Sequence, residues 1–267
     1  MIDTHCHLLP GLDDGAPDDA VALAMARQAV TDGVTAIAVT PHMREGDYLN
    51  ERPRVIEALE RLRGLLAREE VPLALEPGSE VHLSTRLAER LLERRILAYG
   101  DRVPDDGQPA YLLLECPYRT RPIRLEETVF ELLLAGIVPV IAHPERIRWF
   151  QEDPQRYADL VGRGVLGQMT TSSLLGTFGK KVQALAESFV RRGLVHVLAS
   201  DAHDTQYRPP LLAAGRQRWT ELAGEASAEA ATVSTPRALI EGRPVEVAPP
   251  RAEPRPRGLW ERLLGGR

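Results

Sequence analysis

The hydrophobic residues of this chain follow two alternating patterns. Short apolar runs, typical of buried strands, are separated by longer segments in which apolar residues recur three and four positions apart, as on one face of a helix. Because strands that alternate with helices are joined by right-handed crossovers, the pattern predicts an α/β protein with a parallel sheet. The predicted strands cover residues 2–7, 36–40, 73–76, 111–114, 138–142, 166–169 and 195–199, and the predicted helices cover 17–32, 52–70, 86–94, 125–135 and 180–192.

About seven such strand–helix units predict a closed TIM-like barrel or a near relative of it. Barrels of this length commonly form one unit, so we expect a single domain over residues 1–248. From Pro249 the sequence becomes rich in Pro and Arg, which predicts a solvated, extended C-terminal tail over residues 249–267. In a barrel of parallel strands the active site lies at the carboxyl ends of the strands.

Composition and charge narrow the function classes. The 267 residues are 43% hydrophobic, enough for a large core, and a net charge of -5 gives no basis for binding nucleic acid through its phosphates. The two cysteines, Cys6 and Cys116, are too few for a disulfide framework. No signal segment precedes Ile2, and no apolar run of about 18 residues occurs, so we expect a cytoplasmic protein without an integral membrane segment. The sequence leaves oligomerisation open.

Five of the seven histidines lie at or beside predicted strand ends. In the first strand the period of two places His5 and His7 on one face, with Cys6 between them facing the other way. Asp201 and His203 repeat this alternation after the last strand. The candidate metal ligands are His5, His7, Asp14, His42, Glu80, Glu115, His143, Asp201 and His203, whereas His82 and His196 are interpreted as a surface residue and a residue inside or beside a strand.

These nitrogen and oxygen ligands are too many for one tetrahedral site, which takes about four. Two or three ions bridged by carboxylates use them all. Imidazole together with carboxylate suits Mn, Fe or Zn, with Mg as a further candidate, and the ligand types alone do not choose among them.

The chain also carries a series of short motifs. They are Met1 to His7 with Asp13-Asp14-Gly15, Thr40-Pro41-His42, Gly78-Ser79-Glu80, Leu114-Glu115, His143-Pro144-Glu145-Arg146, Ser172-Ser173-Leu174-Leu175-Gly176, and Asp201-Ala202-His203 with Arg208-Pro209-Pro210. Together and in this order they resemble the CpsB/CapC-type phosphatases, members of the polymerase and histidinol phosphatase (PHP) superfamily. The resemblance covers about residues 1 to 245.

The resemblance implies a fold, an activity and a substrate. The fold would be a distorted (β/α)7 barrel with the metal site at the carboxyl ends of its strands. The activity would be that of a manganese-dependent protein-tyrosine phosphatase. Its partner would be an autophosphorylated tyrosine kinase of capsule or exopolysaccharide assembly, dephosphorylated at its C-terminal phosphotyrosines.

The resemblance also implies three ligand sets and two phosphate-binding residues. The first metal would be held by His5, His7, Glu80 and Asp201, the second by Glu80, Glu115 and His143, and the third by Asp14, His42 and His203. Arg146 and Arg208 match the phosphate-binding arginines of the family.

The chemistry is consistent with this assignment. A phosphate monoester dianion repels nucleophiles, so its hydrolysis needs positive charge and a hydroxide at neutral pH, both of which clustered divalent ions supply. Arginine adds bidentate contacts to the phosphate oxygens. Because a phenol leaves with little help from protonation, no residue is assigned firmly as general acid, and His42 and His203 are the candidates. The rims of the site are expected at residues 44–48 and 178–181.

Several alternatives remain open. A thiol-based phosphatase needs an arginine six positions after its cysteine, and positions 12 and 122 are leucine and proline, so that mechanism is excluded. Many amidohydrolases use a carboxylated lysine, whereas Lys180 and Lys181 begin a predicted helix. A PHP-type histidinol-phosphate or other small-molecule phosphatase, a PHP exonuclease and a non-catalytic regulatory domain that keeps metals for stability are the other interpretations.

Overall fold

The structure is a computed structural model of the protein, and it describes residues 1–247, 249 and 251. Most of the predicted tail at 249–267 therefore lies outside the described residues. The boundary near residue 248 stays a prediction.

The strands of the described residues form two parallel sheets. The strands are β1 (Ile2–Cys6), β2 (Ala36–Val39), β3 (His42–Met43), β4 (Ala74–Pro77), β5 (Glu80–His82), β6 (Ala110–Glu115), β7 (Ile137–Ala142), β8 (Leu166–Thr170) and β9 (Val197–Ala199). One sheet has three strands in the order β1-β2-β4, and the other has six in the order β3-β5-β6-β7-β8-β9. All ladders between these strands are parallel. The prediction of an α/β protein with parallel sheets is confirmed.

The two sheets arise because the chain stops pairing after β2 and after β4 and then resumes each time as a further short strand, which the sequence pattern does not predict. After β2 the chain breaks at Thr40 and Pro41 and resumes as β3, and after β4 it breaks at Gly78 and Ser79 and resumes as β5. Pro41 has no N–H to donate to a ladder, although its carbonyl accepts a hydrogen bond from the N–H of Glu80 at 3.1 Å. The breaks deliver His42 and Glu80 to paired positions in the second sheet.

The first and last strands are also joined, beyond the end of β9. Cys6 and Ala202 form an isolated parallel bridge. In it the N–H of His7 donates to the carbonyl of Ala202 at 2.9 Å, and the N–H of Asp201 donates to the carbonyl of His5 at 2.8 Å. The carboxyl end of β1 therefore lies beside the segment that follows β9.

Helices connect the strands, and each predicted helix is present with its ends shifted by a few residues at most. The first begins after Asp18, whose carboxylate accepts a hydrogen bond from the N–H of Val21 as an N-cap. The α-helices are α1 (Asp19–Thr31), α2 (Arg52–Arg68), α3 (Leu87–Leu92), α4 (Leu125–Leu134), α5 (Arg148–Glu152), α6 (Pro154–Val161), α7 (Thr171–Leu174), α8 (Lys180–Arg192), α9 (Ala213–Ala223), α10 (Glu225–Glu229) and α11 (Thr235–Glu241).

The sequence pattern does not predict α5 to α7 or α9 to α11. The helices α5 to α7 have 4 to 8 residues, too few for an apolar period to be read. Those near the C-terminus are rich in Ala and small polar residues, so their apolar face is weak. No helix in the described part of the chain is long and apolar enough to cross a membrane.

The hydrophobic core lies between the helices and the sheets. Cys6 and Ala202, both fully buried, belong to the cluster that packs α1 and α2 against the first sheet. Cys116 is fully buried in the largest cluster, beside the second sheet. Both cysteines are packed side chains, as predicted.

Candidate active site

The predicted ligands converge at the carboxyl ends of the strands. A cavity of about 630 Å³ opens there. His5 and His7 are fully buried and contact Glu80 and Asp201 in its wall. Of the predicted ligands, Asp14, His42, Glu80, Glu115, His143, Asp201 and His203 line the cavity.

The first strand brings two imidazoles face to face. The Nε2 atoms of His5 and His7 are 3.1 Å apart. Nδ1 of His5 lies 2.9 Å from Oε1 of Gln168, and Nδ1 of His7 lies 2.8 Å from Oδ2 of Asp13. With Nδ1 of each ring placed to donate to an oxygen acceptor, Nε2 is the atom that each ring presents to the other, and in the neutral form of the ring this atom carries a lone pair.

Glu80 is the central carboxylate of the cluster. Its Oε2 lies 3.3 Å from Nε2 of His5, 3.5 Å from Nε2 of His7 and 2.9 Å from Nδ1 of His42. Its Oε1 lies 3.1 Å from Nε2 of His143. Burial alone would raise the pKa of Glu80, but the charges and hydrogen bonds of these histidines outweigh burial and hold the pKa well below its usual value.

Glu115 lies on the same wall with a longer histidine contact, 3.8 Å from its Oε2 to Nδ1 of His42. Burial, together with the negative charge of Glu80, raises the pKa of Glu115 to about 7. Oε2 of Glu115 and Nδ1 of His143 are both buried and have no hydrogen-bond partner within the described residues. Two ionised carboxylates that share a site repel each other, and either a proton on one of them or a cation between them relieves the repulsion.

A third group gathers on the side of Asp14. Oδ1 of Asp14 is 3.4 Å from Nε2 of His42 and 3.4 Å from Nε2 of His203. The rings of His7 and His203 lie 3.9 Å apart between centroids. Gly15 is required beside this loop because a Cβ at that position would collide with the carbonyl oxygen of His7.

The ligand atoms form three sets, each within 4.8 Å: His7, Asp14, His42 and His203; His5, His7 and Glu80; and His42, Glu80 and Glu115. The set around Asp14 contains the ligands expected for the third metal. The set of His5, His7 and Glu80 contains three of those expected for the first metal, and the fourth, Asp201, has its Oδ1 3.4 Å from Nε2 of His5. The set of His42, Glu80 and Glu115 corresponds to the second metal site, but it contains His42 where His143 was expected. His143 contacts Glu80 through Nε2.

These donors match divalent cations. Positive ions bound among these residues would give a partner to the facing Nε2 atoms of His5 and His7, to the unpaired oxygen of Glu115 and to the carboxylate of Glu80. The donor set is imidazole and carboxylate without thiolate, which suits Mn, Fe or Zn.

Two of these residues have unusual backbones. His143 has φ 34° and Asp201 has φ 54°, in the left-handed region that non-glycine residues seldom adopt. Each follows the end of a strand, and the turn directs its side chain toward the cluster instead of along the strand. Such backbone strain is common at functional sites.

The two candidate phosphate-binding arginines meet at one oxygen. Nη1 of Arg146 lies 2.7 Å and Nη2 of Arg208 lies 2.6 Å from Oδ2 of Asp201. Their side chains are 18% and 28% exposed, so both are accessible from solvent. Two guanidinium groups beside the cluster create a positive edge suited to an anion.

Sequence reasoning missed several supporting residues. Asp13 and Gln168 fix the tautomers of His7 and His5, and Tyr118 lines the cavity and stacks on the ring of His143. The adjacency of Asp13 to Asp14 was the only signal in the sequence. Gln168 and Tyr118 carry no motif of their own, because their roles depend on which strands are neighbours.

Of the two expected rim segments, residues 44–48 contribute to the lining of the cavity, whereas none of residues 178–181 does. Arg44 and Tyr48 line the cavity, and the Tyr48 ring stacks on His42 at 5.6 Å. His82 is partly exposed at the end of β5. His196 lies just before β9, where its Nδ1 accepts a hydrogen bond from the N–H of Gly167 at 3.0 Å.

The chain is similar to several known proteins. A family model described as capsular polysaccharide synthesis, CpsB/CapC, matches residues 1–241. The tyrosine-protein phosphatase YwqE of Bacillus subtilis is 40% identical over 208 residues, 78% of this chain and 79% of that protein. The tyrosine-protein phosphatase CpsB of Streptococcus pneumoniae is 27% identical over 245 residues, 90% of this chain and 98% of that protein.

A solved structure is similar over nearly the whole fold. It comes from crystal structures of YwqE from Bacillus subtilis and CpsB from Streptococcus pneumoniae, described as metal-dependent tyrosine phosphatases. It matches with a TM-score of 0.88 and 35% sequence identity, covering 96% of this chain and 100% of that chain.

Proposed function

The chain belongs to the CpsB/CapC family of capsular polysaccharide synthesis, and we propose that it is a metal-dependent tyrosine-protein phosphatase. The observation that carries the proposal is the convergence of a histidine and carboxylate cluster with two arginines at Asp201. The cluster suits divalent ions, and the arginines suit a phosphate group, so one cavity holds both requirements of phosphomonoester hydrolysis.

The residues that would hold the metal ions are those of the three ligand sets that the family resemblance implies, with His42 also close enough to Glu80 and Glu115 to contribute. We propose two or three Mn²⁺ ions, with Fe, Zn or Mg as the other candidates. Ions bound there would lower the pKa of water and offset the negative charge of the phosphate. Asp13 and Gln168 accept hydrogen bonds from Nδ1 of His7 and His5, which leaves Nε2 of each ring as the atom that would face a metal ion.

The other residues bind and orient the substrate. Arg146 and Arg208 would contact the non-bridging phosphate oxygens, since guanidinium groups stay charged at all relevant pH values. His42 and His203 are the candidates for proton transfer to the leaving phenolate. Both rings face the cavity and contact the same oxygen of Asp14 at 3.4 Å.

The physiological substrate is the finer part of the proposal. We propose a tyrosine kinase of capsule or exopolysaccharide assembly, dephosphorylated at C-terminal phosphotyrosines in the cytoplasm. The family description supports a role in capsular polysaccharide synthesis, and the names of the relatives support phosphotyrosine as the group that is hydrolysed.

We also infer that the two sheets close into a distorted (β/α)7 barrel of the PHP type. Only two residues separate β2 from β3 and β4 from β5, and these short breaks together with the bridge between Cys6 and Ala202 support this inference.

The experiment that tests the function is a metal-supplemented assay with matched substrates. Protein loaded with Mn²⁺ and checked for metal content should release phosphate from a phosphotyrosine peptide much faster than from a phosphoserine peptide or histidinol phosphate. Turnover of histidinol phosphate alone would indicate the small-molecule phosphatase. No turnover of any phosphomonoester, despite bound metal, would contradict the proposal.

A further inference from the structure

The guanidinium group of Arg146 lies between two aromatic rings. Its Cζ is 5.3 Å from the ring centroid of Tyr118 and 4.3 Å from that of Phe178. Both distances are within the range of about 6 Å in which a cation is attracted to an aromatic face. With the contact of Nη1 to Asp201, three groups fix a side chain that has many rotamers in solution.

Each aromatic ring is itself held in place. Tyr118, in the segment that follows β6, stacks on the ring of His143 with 5.2 Å between centroids and 12° between planes. Phe178 lies between Gly176 and Gly179, whose φ values of +84° and +92° produce the turn that carries its ring.

The same segment makes a second contact with the Arg146 region. Oγ of Ser173 donates a hydrogen bond to Oε1 of Glu145 at 2.5 Å, and both side chains are fully buried. The sequence assigned no role to the Ser172 to Gly176 motif. In the structure Ser173 of this motif contacts Glu145, the neighbour of Arg146, and the turn that begins at Gly176 places Phe178 against Arg146 itself.

The aromatic contacts leave part of the guanidinium available. Nη1 of Arg146 donates a hydrogen bond to Asp201, whereas Nε and Nη2 donate none to the residues that the structure describes. Nε and one Nη form the fork that binds two oxygens of a phosphate. Arg208 contacts the same oxygen of Asp201, but in this part of the chain only Arg146 has a cation–π contact.

We propose that Tyr118 and Phe178 are positioning residues that hold the Arg146 guanidinium ready for the phosphate group of the substrate. This inference rests on the proposed function, and it specifies how the site orders one of its two arginines before the substrate arrives. A guanidinium that is already ordered loses less entropy on binding, so the rings increase affinity for phosphate.

The decisive variant is Phe178→Leu, which keeps an apolar side chain but removes the aromatic face. We expect the KM for a phosphotyrosine peptide and the Kd for inorganic phosphate to rise about 3- to 10-fold, the range of a partly buried cation–π contact. Phe178→Tyr should restore both constants. Metal content and the thermal unfolding temperature should match the wild type, since Phe178 is partly exposed.

A double-mutant cycle separates positioning from a general structural effect. In an Arg146→Ala background, Phe178→Leu should cause no further loss of phosphate affinity. An equal loss in both backgrounds, or failure of Phe178→Tyr to restore affinity, would overturn the proposal. Phe130→Leu is the matched control, because Phe130 is 65% exposed on α4 and does not line the cavity.

Tyr118 provides a second pair of variants if Phe178→Leu folds poorly. Tyr118→Phe keeps the ring and should retain most of the phosphate affinity, whereas Tyr118→Leu should lose it. Equal losses in the two variants would show that the hydroxyl and not the ring is required, which contradicts the proposed role of Tyr118.

Phosphate binding makes the two proposals distinguishable. A metal-loaded wild type that binds phosphate in a Phe178-dependent manner, but does not hydrolyse phosphotyrosine, would support the positioning role and reject the proposed enzyme function. A wild type that does not bind inorganic phosphate at all would overturn the positioning role, whatever its activity.

Discussion

Nδ1 of His7 and Oδ2 of Asp13 lie 2.8 Å apart, in a carboxylate–histidine pair directed at the predicted metal cluster. Asp13 also accepts hydrogen bonds from the N–H groups of Gly15 and His42 at 3.0 and 2.9 Å, so one carboxylate orders two neighbouring segments of the site. Partners of this kind fix the tautomer of a ligating imidazole.

Asp13→Ala should therefore weaken metal binding. We expect a loss of about 10- to 100-fold in metal affinity, measured by competition with a chelator of known affinity. Asp18→Ala is the matched control, since Asp18 caps α1. That variant should cost about 1 kcal/mol of stability and leave metal affinity unchanged. Wild-type metal affinity in Asp13→Ala would show that Asp13 has no such role.

Arg208→Ala should reduce catalysis while the metals stay bound. Arg208 contacts the Asp201 oxygen through Nη2 and is placed to bind phosphate. Loss of one charged donor to a phosphate oxygen should lower kcat/KM by about 10²- to 10³-fold. Arg208→Lys should recover little, because a lysine lacks the bidentate fork. The measurement pairs kinetics with metal content, and a parallel loss of metal would indicate that Arg208 supports Asp201 instead.

Metal removal should abolish activity, whereas thiol alkylation should leave it unchanged. A chelator should abolish hydrolysis, and added Mn²⁺ should restore it. Iodoacetamide should leave the native enzyme active, because Cys6 and Cys116 are fully buried and burial raises the pKa of both thiols. A thiol-dependent phosphatase treated in parallel controls for the reagent. Inactivation by alkylation of the folded enzyme would reject this prediction.

Much of the fold was predictable because apolar periodicity reports burial directly. The strand at 111–114 and the helix at 180–192 are examples, since each has the length and spacing of one element. The breaks after β2 and β4 were not predicted. The breaks occur at Pro41 and Gly78. Whether a proline or glycine ends a strand or only interrupts it depends on the neighbouring strands available for pairing, which is a long-range property of the fold.

The candidate site shows the same division. His5 and His7 were placed on one face by the period of two, and the structure brings their Nε2 atoms together. Gln168 contacts His5 across 163 positions of sequence, so no local pattern predicts it. His143 and Asp201 were found by type and position, but their left-handed backbones, which aim the side chains, depend on tertiary structure.

Two alanine substitutions at glycine should have opposite effects. In Gly15→Ala the new Cβ would collide with the carbonyl oxygen of His7, so we expect loss of metal affinity and lower stability. In Gly64→Ala the Cβ would meet nothing nearer than Nη1 of Arg68 at 3.7 Å, inside α2. That change should stabilise the protein by about 0.5 to 1 kcal/mol. Denaturant unfolding and metal titration of both variants check the contrast.

His196 should make the protein less stable at mildly acidic pH. Burial lowers the pKa of His196 to about 4, and its Nδ1 accepts a hydrogen bond from the N–H of Gly167, which requires an unprotonated nitrogen. In the unfolded chain a histidine has a pKa near ~6.5. Between these two values the unfolded state binds a proton that the folded state does not, so stability is full above about pH 6.5 and falls as the pH is lowered toward 4.

The size and sign of this effect are measurable with one variant. His196→Asn keeps an oxygen that can accept the hydrogen bond from Gly167 but does not titrate. The free energy of unfolding of wild type minus that of His196→Asn should decrease by about 2 kcal/mol between pH 7.5 and pH 5. The subtraction cancels the other histidines, which both proteins share. A difference that stays constant with pH would mean that the folded protein protonates His196 as readily as the unfolded chain, and a difference that grows toward acidic pH would mean that a buried acceptor stabilises the charged ring.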